Sequence, residues 1–118
     1  MLRTFCKAKI NRATITQAEL HYNGSITIDR ALIEAAGLQP YERVQVLNIN
    51  NGERFETYVI AGRKNSGVIC LNGPAARCGL PGDVVTIISY AMLDDKEAAG
   101  WQPTVVHVDE KNRIKTGK

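Results

Sequence analysis

The chain has 118 residues and a formal charge of +3, with 44% hydrophobic and 23% charged residues, proportions that fit one globular domain and exclude a disordered or collagen-like chain. No apolar run approaches the ~20 residues of a spanning helix, and Met1 to Lys7 lacks an apolar stretch of signal-peptide length, so the expectation is a cytoplasmic protein without a membrane segment. Lys and Arg are scattered, which favours a small anionic ligand over nucleic acid, and the three cysteines, Cys6, Cys70 and Cys78, lack metal-like spacing and read as buried reduced thiols.

Residues Met1 to Ile10 alternate, with Leu2, Cys6, Ala8 and Ile10 on one side and Arg3, Phe5, Lys7 and Lys9 largely on the other, the pattern of a half-buried strand. That places Lys9 at a strand end. Arg12 to Gln17 reads as a second strand, and Ala18 to Tyr22 leads into Asn23-Gly24-Ser25 at the mouth of a short strand, Ser25 to Ile28. Asp29 is a natural N-cap for a two-turn helix from Arg30 to Ala36, and Gly37 a natural residue just past its end. Val44 to Ile49 is a strand, Asn51-Gly52 the strongest hairpin signal, and Arg54 to Ala61 the return strand. Its period of two sets Arg54, Glu56 and Tyr58 on one face and Phe55, Thr57, Val59 and Ala61 on the other. Lys64 to Gly67 is a turn, Val68 to Leu71 an apolar strand, and Asn72-Gly73-Pro74-Ala75-Ala76 opens a short helical turn. Pro81-Gly82-Asp83 turns the chain into a buried strand from Val84 to Tyr90. Asp94 to Ala99 forms one helical turn, Thr104 to Val108 a last strand, and residues 109–118 a polar tail.

Two halves share a pattern: Ser25-Ile-Thr-Ile-Asp, short helix, Gly37-Leu38, strand, against Val68-Ile-Cys-Leu-Asn, short helix, Gly79-Leu80, strand. A repeat that occurs only twice predicts a pseudo-two-fold closed barrel and not an array. Closure also removes sheet edges. The expected fold class is mainly β: a six-stranded barrel with short helices, as one domain over residues 1–118.

The chemistry-bearing candidates are Lys9, Gly24-Ser25, Arg54 with Thr57 and Tyr58, and Asn72-Gly73. A serine hydroxyl attacks the carbonyl of the preceding residue when the backbone is held strained, and glycine there accepts unusual φ/ψ and leaves its carbonyl unshielded. Elimination from the resulting ester, then hydrolysis, converts Ser25 to a pyruvoyl group. Each candidate also has a structural reading: Gly24-Ser25 as a turn, Lys9 as a solvated charge, Arg54 paired with Glu56, Tyr58 at a barrel rim, and Asn72-Gly73 as a cap. His21 and His107 have no companion nucleophile or ligand in sequence and read as structural.

Together the residues resemble one family. Leu2-Arg3-Thr4, Lys9, Arg12-Ala13, Leu20-His21-Tyr22, Gly24-Ser25, Ile28-Asp29, Asn51-Gly52, Arg54, Thr57-Tyr58, Asn72-Gly73, Ala75-Ala76, Gly82-Asp83 and Gln102-Pro103 occur in one order across the chain. That order resembles the bacterial pyruvoyl-dependent aspartate 1-decarboxylases, which make β-alanine for pantothenate. The resemblance implies a double-psi β-barrel and a homotetramer with active sites between subunits. It also implies self-cleavage between Gly24 and Ser25 into residues 1–24 and 25–118. Thr57 and Asn72 would serve the cleavage. The pyruvoyl group at position 25 would form a Schiff base with aspartate and act as the electron sink, without metal or pyridoxal phosphate. Tyr58 would donate the proton to the former α-carbon, since a phenol keeps its proton at neutral pH. Arg54 and Lys9 would meet the two substrate carboxylates, one as a bidentate fork and one as a point charge. Thr57, Gly73, Pro74 and Ala75 would line the substrate pocket. Asn11 stands where the family commonly has histidine, and Pro74 where many members have alanine. The alternatives are a non-catalytic β-barrel binding module and a decarboxylase for another acidic amino acid, since one methylene is worth only ~1–3 kcal/mol in a pocket.

Overall fold

The structure is a computed structural model, and it describes residues 1–116; Gly117 and Lys118, at the end of the expected tail, lie outside the described residues. Eight strands, β1 (Arg3–Thr14), β2 (Gln17–Glu19), β3 (Ser25–Asp29), β4 (Arg43–Asn48), β5 (Arg54–Gly62), β6 (Ile69–Asn72), β7 (Val84–Leu93) and β8 (Thr104–His107), form one mixed sheet. Two short helices, α1 (Arg30–Ala36) and α2 (Asp95–Ala98), and a 3-10 turn (Gly73–Arg77) connect them.

The strand order is β2-β6-β3-β5-β4-β7-β1-β8. Only Ile15 and Thr16 separate β1 from β2, so the chain that ends one side of the sheet also supplies its other side. Thr16 fastens that closure: its N–H donates to the Ile69 carbonyl at 2.8 Å, and its hydroxyl accepts from Ile69 N–H at 3.0 Å. Counting β1 and β2 as one bent strand gives a closed six-stranded barrel, with β8 added alongside β1. The interior is filled by Ile10, Ile15, Ile26, Ile28, Val44, Val46, Val59, Ile69, Leu71, Val85 and Ile87, all at most 1% exposed. That closely packed aliphatic core is the main source of stability.

The pseudo-two-fold predicted from the repeat is visible in the hydrogen bonds. Tyr41 N–H donates to Val59 O and Val59 N–H to Glu42 O; in the other half Gly82 N–H donates to Ile15 O and Ile15 N–H to Asp83 O. The Glu42 carboxylate takes Gln39 N–H as the Asp83 carboxylate takes Leu80 N–H.

Two expectations change. The segments Met1 to Ile10 and Arg12 to Gln17 are largely one strand, because the burial phase slips between Ile10 and Ala13. A bulge absorbs that slip, with Arg12 in the left-handed region at φ 60°. Lys9 therefore lies within β1, opposite Ile88 and Val105, and not at its end. The described part of the tail is mostly exposed but anchored at one residue: Asn112 is buried, its side chain bonding both Thr14 N–H and Thr14 O and the Gly67 carbonyl. All three cysteines are free, Cys70 buried and Cys6 and Cys78 half-buried.

Candidate active site

Ser25 begins β3 and is fully buried, directly opposite Asn72 at the end of antiparallel β6. That register brings two polar side chains of distant sequence together. Asn72 Nδ2 donates to Ser25 Oγ at 2.9 Å and to Thr27 Oγ1 at 2.9 Å, while Ser25 Oγ donates to the Asn23 carbonyl at 3.1 Å. Both amide protons of Asn72 are thereby committed to hydroxyl oxygens.

Gly24 is held from behind. Gly73 has φ +64°, and a Cβ on it would lie 2.7 Å from Tyr22 O, 2.8 Å from Gly24 N and 2.9 Å from Gly24 Cα. Only glycine permits both that conformation and that approach. The backbone on either side of residue 24 is thus pressed against the turn that follows β6. Pro74 adds a ring whose Cδ would sit 3.3 Å from a Cβ on Gly24.

In front of Gly24 lies a pocket of about 350 Å³ lined by Phe55, Glu56, Thr57, Tyr58, Pro74, Ala75 and Cys78, a size suited to a small ligand. The hairpin at Asn51-Gly52, with Gly52 at φ +79°, sets the register that brings β5 past Gly24. Thr57 lies in register with Val44 and Tyr58 with Arg43, and the Tyr58 ring is braced by Tyr41, centroids 6.2 Å apart and tilted by 30°. Burial, and secondarily the Glu53 carboxylate, push the Cys78 thiol up, which keeps it protonated beside the pocket.

The structure therefore gathers Gly24, Ser25, Thr57, Tyr58, Asn72, Gly73, Pro74 and Ala75, and leaves Lys9 and Arg54 off the pocket wall of the same chain. Arg54 is exposed at the start of β5, opposite Leu47. The suggested Arg54–Glu56 pair is not formed: among the described residues the ion pairs are Arg3–Asp95, Lys7–Glu42 and Lys64–Glu34. Among the described residues no group of three or more His, Cys, Asp or Glu could hold a metal and no helix is long and apolar enough to cross a membrane. Asn11 sits on β1 in register with His107, its Oδ1 accepting from Thr86 Oγ1 at 3.2 Å. Sequence reasoning missed Thr27, Phe55, Cys70 and Cys78. For Thr27 and Cys70 the signal existed, since each lies two residues from a candidate on the same strand face.

Comparison with known proteins agrees along the whole chain. The sequence model of the family described as aspartate decarboxylase matches residues 1–115. An aspartate 1-decarboxylase of Syntrophus aciditrophicus is 60% identical over 115 residues, covering 98% of this chain and 99% of that protein. One of Cytophaga hutchinsonii is 61% identical over 108 residues, covering 92% and 94%, and one of Leptospira biflexa 56% identical over 116 residues, covering 98% of each. With a barrel that presents a buried serine, a pinned glycine and a pocket beside them, the chain belongs to the aspartate decarboxylase family.

Proposed function

We propose that the chain decarboxylates L-aspartate to β-alanine and CO2, supplying pantothenate synthesis in the cytoplasm, after cutting itself between Gly24 and Ser25. The observation that carries this reading is the fully buried Ser25 hydroxyl, held by Asn72 Nδ2 at 2.9 Å next to a glycine pinned by Gly73. Burying a hydroxyl and an amide costs stability unless they are paired, and here they are paired with each other at a glycine-serine bond.

In the cleavage, Ser25 Oγ bonds to the Gly24 carbonyl carbon, the Gly24–Ser25 C–N bond breaks, and the hydroxyl proton passes to the freed nitrogen. Thr57 faces the same pocket as Gly24 and is the donor for the oxygen that becomes negative in between. Loss of the Ser25 α-proton and of Gly24 as carboxylate leaves a dehydroalanine, and water then releases ammonia. The product is a pyruvoyl group on residues 25–118. The surroundings of residue 25 suit such a group: the Asn72 amide donates to that residue, and Pro74 and Ala75 line the pocket beside the adjacent Gly24. When formed, the group supplies an electron sink for the bond to the leaving carboxylate.

The protein's own groups do the rest. Tyr58 Oη, at the pocket rim, delivers the proton to the carbon that has lost CO2. Arg54 and Lys9 take the two carboxylates of the substrate and fix which one leaves. Both lie outside the pocket of their own chain, which supports a tetramer whose sites are completed by a neighbouring copy. The exposed Tyr22 at 59%, Leu80 at 69% and Met92 at 62% are apolar surface for that assembly.

Intact-mass measurement of the purified chain, with aspartate turnover followed as β-alanine, tests the proposal. The expected result is two fragments split after Gly24, the larger without a free amino group, together with β-alanine. Ser25→Ala abolishes both. A single full-length mass after long incubation, with no β-alanine formed, refutes the proposal.

A further inference from the structure

The Asn72 amide works only in one of its two orientations. With Nδ2 toward Ser25, the serine oxygen accepts and its proton is directed to Asn23 O; with Oδ1 toward Ser25, the hydroxyl would be drawn into donating to the amide instead. Ser25 and Thr27 do not choose between these, because a hydroxyl both donates and accepts. The Asn23 carbonyl, which only accepts, favours the first orientation from the serine side, and on the other side the choice falls to whatever meets Oδ1. That group is Cys70, whose Sγ lies 3.2 Å from Asn72 Oδ1.

The placement follows from the fold. Cys70 and Asn72 are two apart on β6, so they share a face, while Ile69 and Leu71 fill the barrel from the other. Cys70 is opposite Thr27 as Asn72 is opposite Ser25, giving a two-by-two patch of Ser25, Thr27, Cys70 and Asn72. Sulfur is a poor acceptor and the amide oxygen a good one, so the thiol serves as donor in this patch. Its proton is secure: burial first, and the Glu19 carboxylate second, push the Cys70 thiol up.

We infer that Cys70 is a positioning residue for self-cleavage, donating its S–H to Asn72 Oδ1 and so locking the amide with Nδ2 on the Ser25 hydroxyl. The inference rests on the proposed cleavage at Gly24–Ser25, and nothing in the family resemblance or in the related proteins' names assigns Cys70 a part.

The test follows the first-order conversion of freshly purified full-length chain to its two fragments by intact mass, in the unsubstituted protein and in Cys70→Ala, Cys70→Val and Cys70→Ser. A single neutral hydrogen bond sets the scale, roughly a 2- to 10-fold change in rate. Cys70→Ala and Cys70→Val are expected to slow cleavage by that factor, and Cys70→Ser to restore it to within about 2-fold, because a hydroxyl again donates. Rescue by serine separates donation from packing, since valine fills the site without a donor and serine donates without filling it. Equal rates in all four proteins overturn the inference, and so does a serine variant as slow as the alanine variant. Failure of the unsubstituted chain to cleave refutes the cleavage proposal itself, and the inference with it. Melting temperatures of the four proteins show which are folded; if alanine fails to fold, the valine and serine pair alone decides.

Discussion

Replacing Gly73 by alanine tests the packing behind the proposed cleavage bond, Gly24–Ser25, more directly than any change at the serine. The added methyl costs about 1–2 kcal/mol for holding a non-glycine residue in the left-handed region, where Gly73 sits at φ +64°. It also meets three backbone atoms, Tyr22 O, Gly24 N and Gly24 Cα, all within 2.9 Å. Those atoms have no rotamer to change, so the chain from Tyr22 to Gly24 must move, and overpacking of this kind adds about 1–3 kcal/mol. The combined loss of about 2–5 kcal/mol corresponds to a fall in Tm of roughly 8–20 °C for a domain of this size. Gly52→Ala is the control, because Gly52 has φ +79° but open space around its missing Cβ and bears only the conformational cost. At matched protein concentration, thermal melts should rank unsubstituted above Gly52→Ala above Gly73→Ala, and intact mass should show slowed cleavage in Gly73→Ala alone. If Gly73→Ala melts with Gly52→Ala and cleaves at the unsubstituted rate, the close approach of Gly73 to Gly24 has no role in presenting the bond.

Other expectations concern single groups. Tyr58→Phe should cleave normally and lose about 10²- to 10⁴-fold in decarboxylation rate, the usual worth of a positioned general acid; full activity per cleaved chain would remove Tyr58 from that role. Arg54→Ala should lower kcat/KM for aspartate by about 10- to 150-fold, the scale of a hydrogen bond to a charged group, with cleavage unaffected; an unchanged kcat/KM would place the substrate carboxylates elsewhere. The Asn48 side-chain amide, and after it Leu80 N–H, hold the Asp83 carboxyl below the usual carboxylate range. Its folded pKa is thus below its unfolded one, so its contribution is complete above the unfolded value of ~4 and is lost as pH falls through the folded value. Urea melts across that range should show a shallower loss of stability toward acid in Asp83→Asn; an unaltered acid limb would argue against this assignment.

Much of the scaffold is legible from local chemistry. Asp29 and Gly37 bracket α1 as their types suggest, the Asp29 carboxylate taking Ala31 N–H and Gly37 lying at φ +72°. Asn51-Gly52 turns where expected, and the repeat alone implies the two-fold. What stays hidden depends on partners distant in sequence. The bulge at Arg12 makes one strand look like two. Asn112 reads as one more polar tail residue until Thr14 and Gly67 are placed beside it. The candidate residues of the site are recognisable through family resemblance, but the Asn72–Ser25 contact depends on the register between β3 and β6. No local pattern encodes that register.

The two-fold also bears on why the proposed reactive serine has no counterpart in the other half of the barrel. Asp29 and Asn72 occupy matching positions at the ends of β3 and β6, each just before a short helix. Asp29 serves the scaffold: it caps α1 and also accepts from Asn65 N–H and Gly67 N–H. Asn72 makes no such cap bond. The residue after Asp29 continues into a regular helix, whereas the residue after Asn72 is Gly73 in the left-handed region, opening a 3-10 turn. A carboxylate at position 72 would only accept, and a serine hydroxyl facing it would turn its proton inward. An amide donates instead, leaving that proton on Asn23 O. At the opposite end of the same strand pair, Val68 is the counterpart of Ser25 and has no side-chain hydroxyl; its backbone accepts from Asp29 N–H and donates to Ser66 Oγ. The repeat thus supplies two equivalent strand ends; aspartate with a regular helix commits one to holding the fold, and asparagine with a left-handed glycine leaves the other available for the cleavage proposed at Ser25.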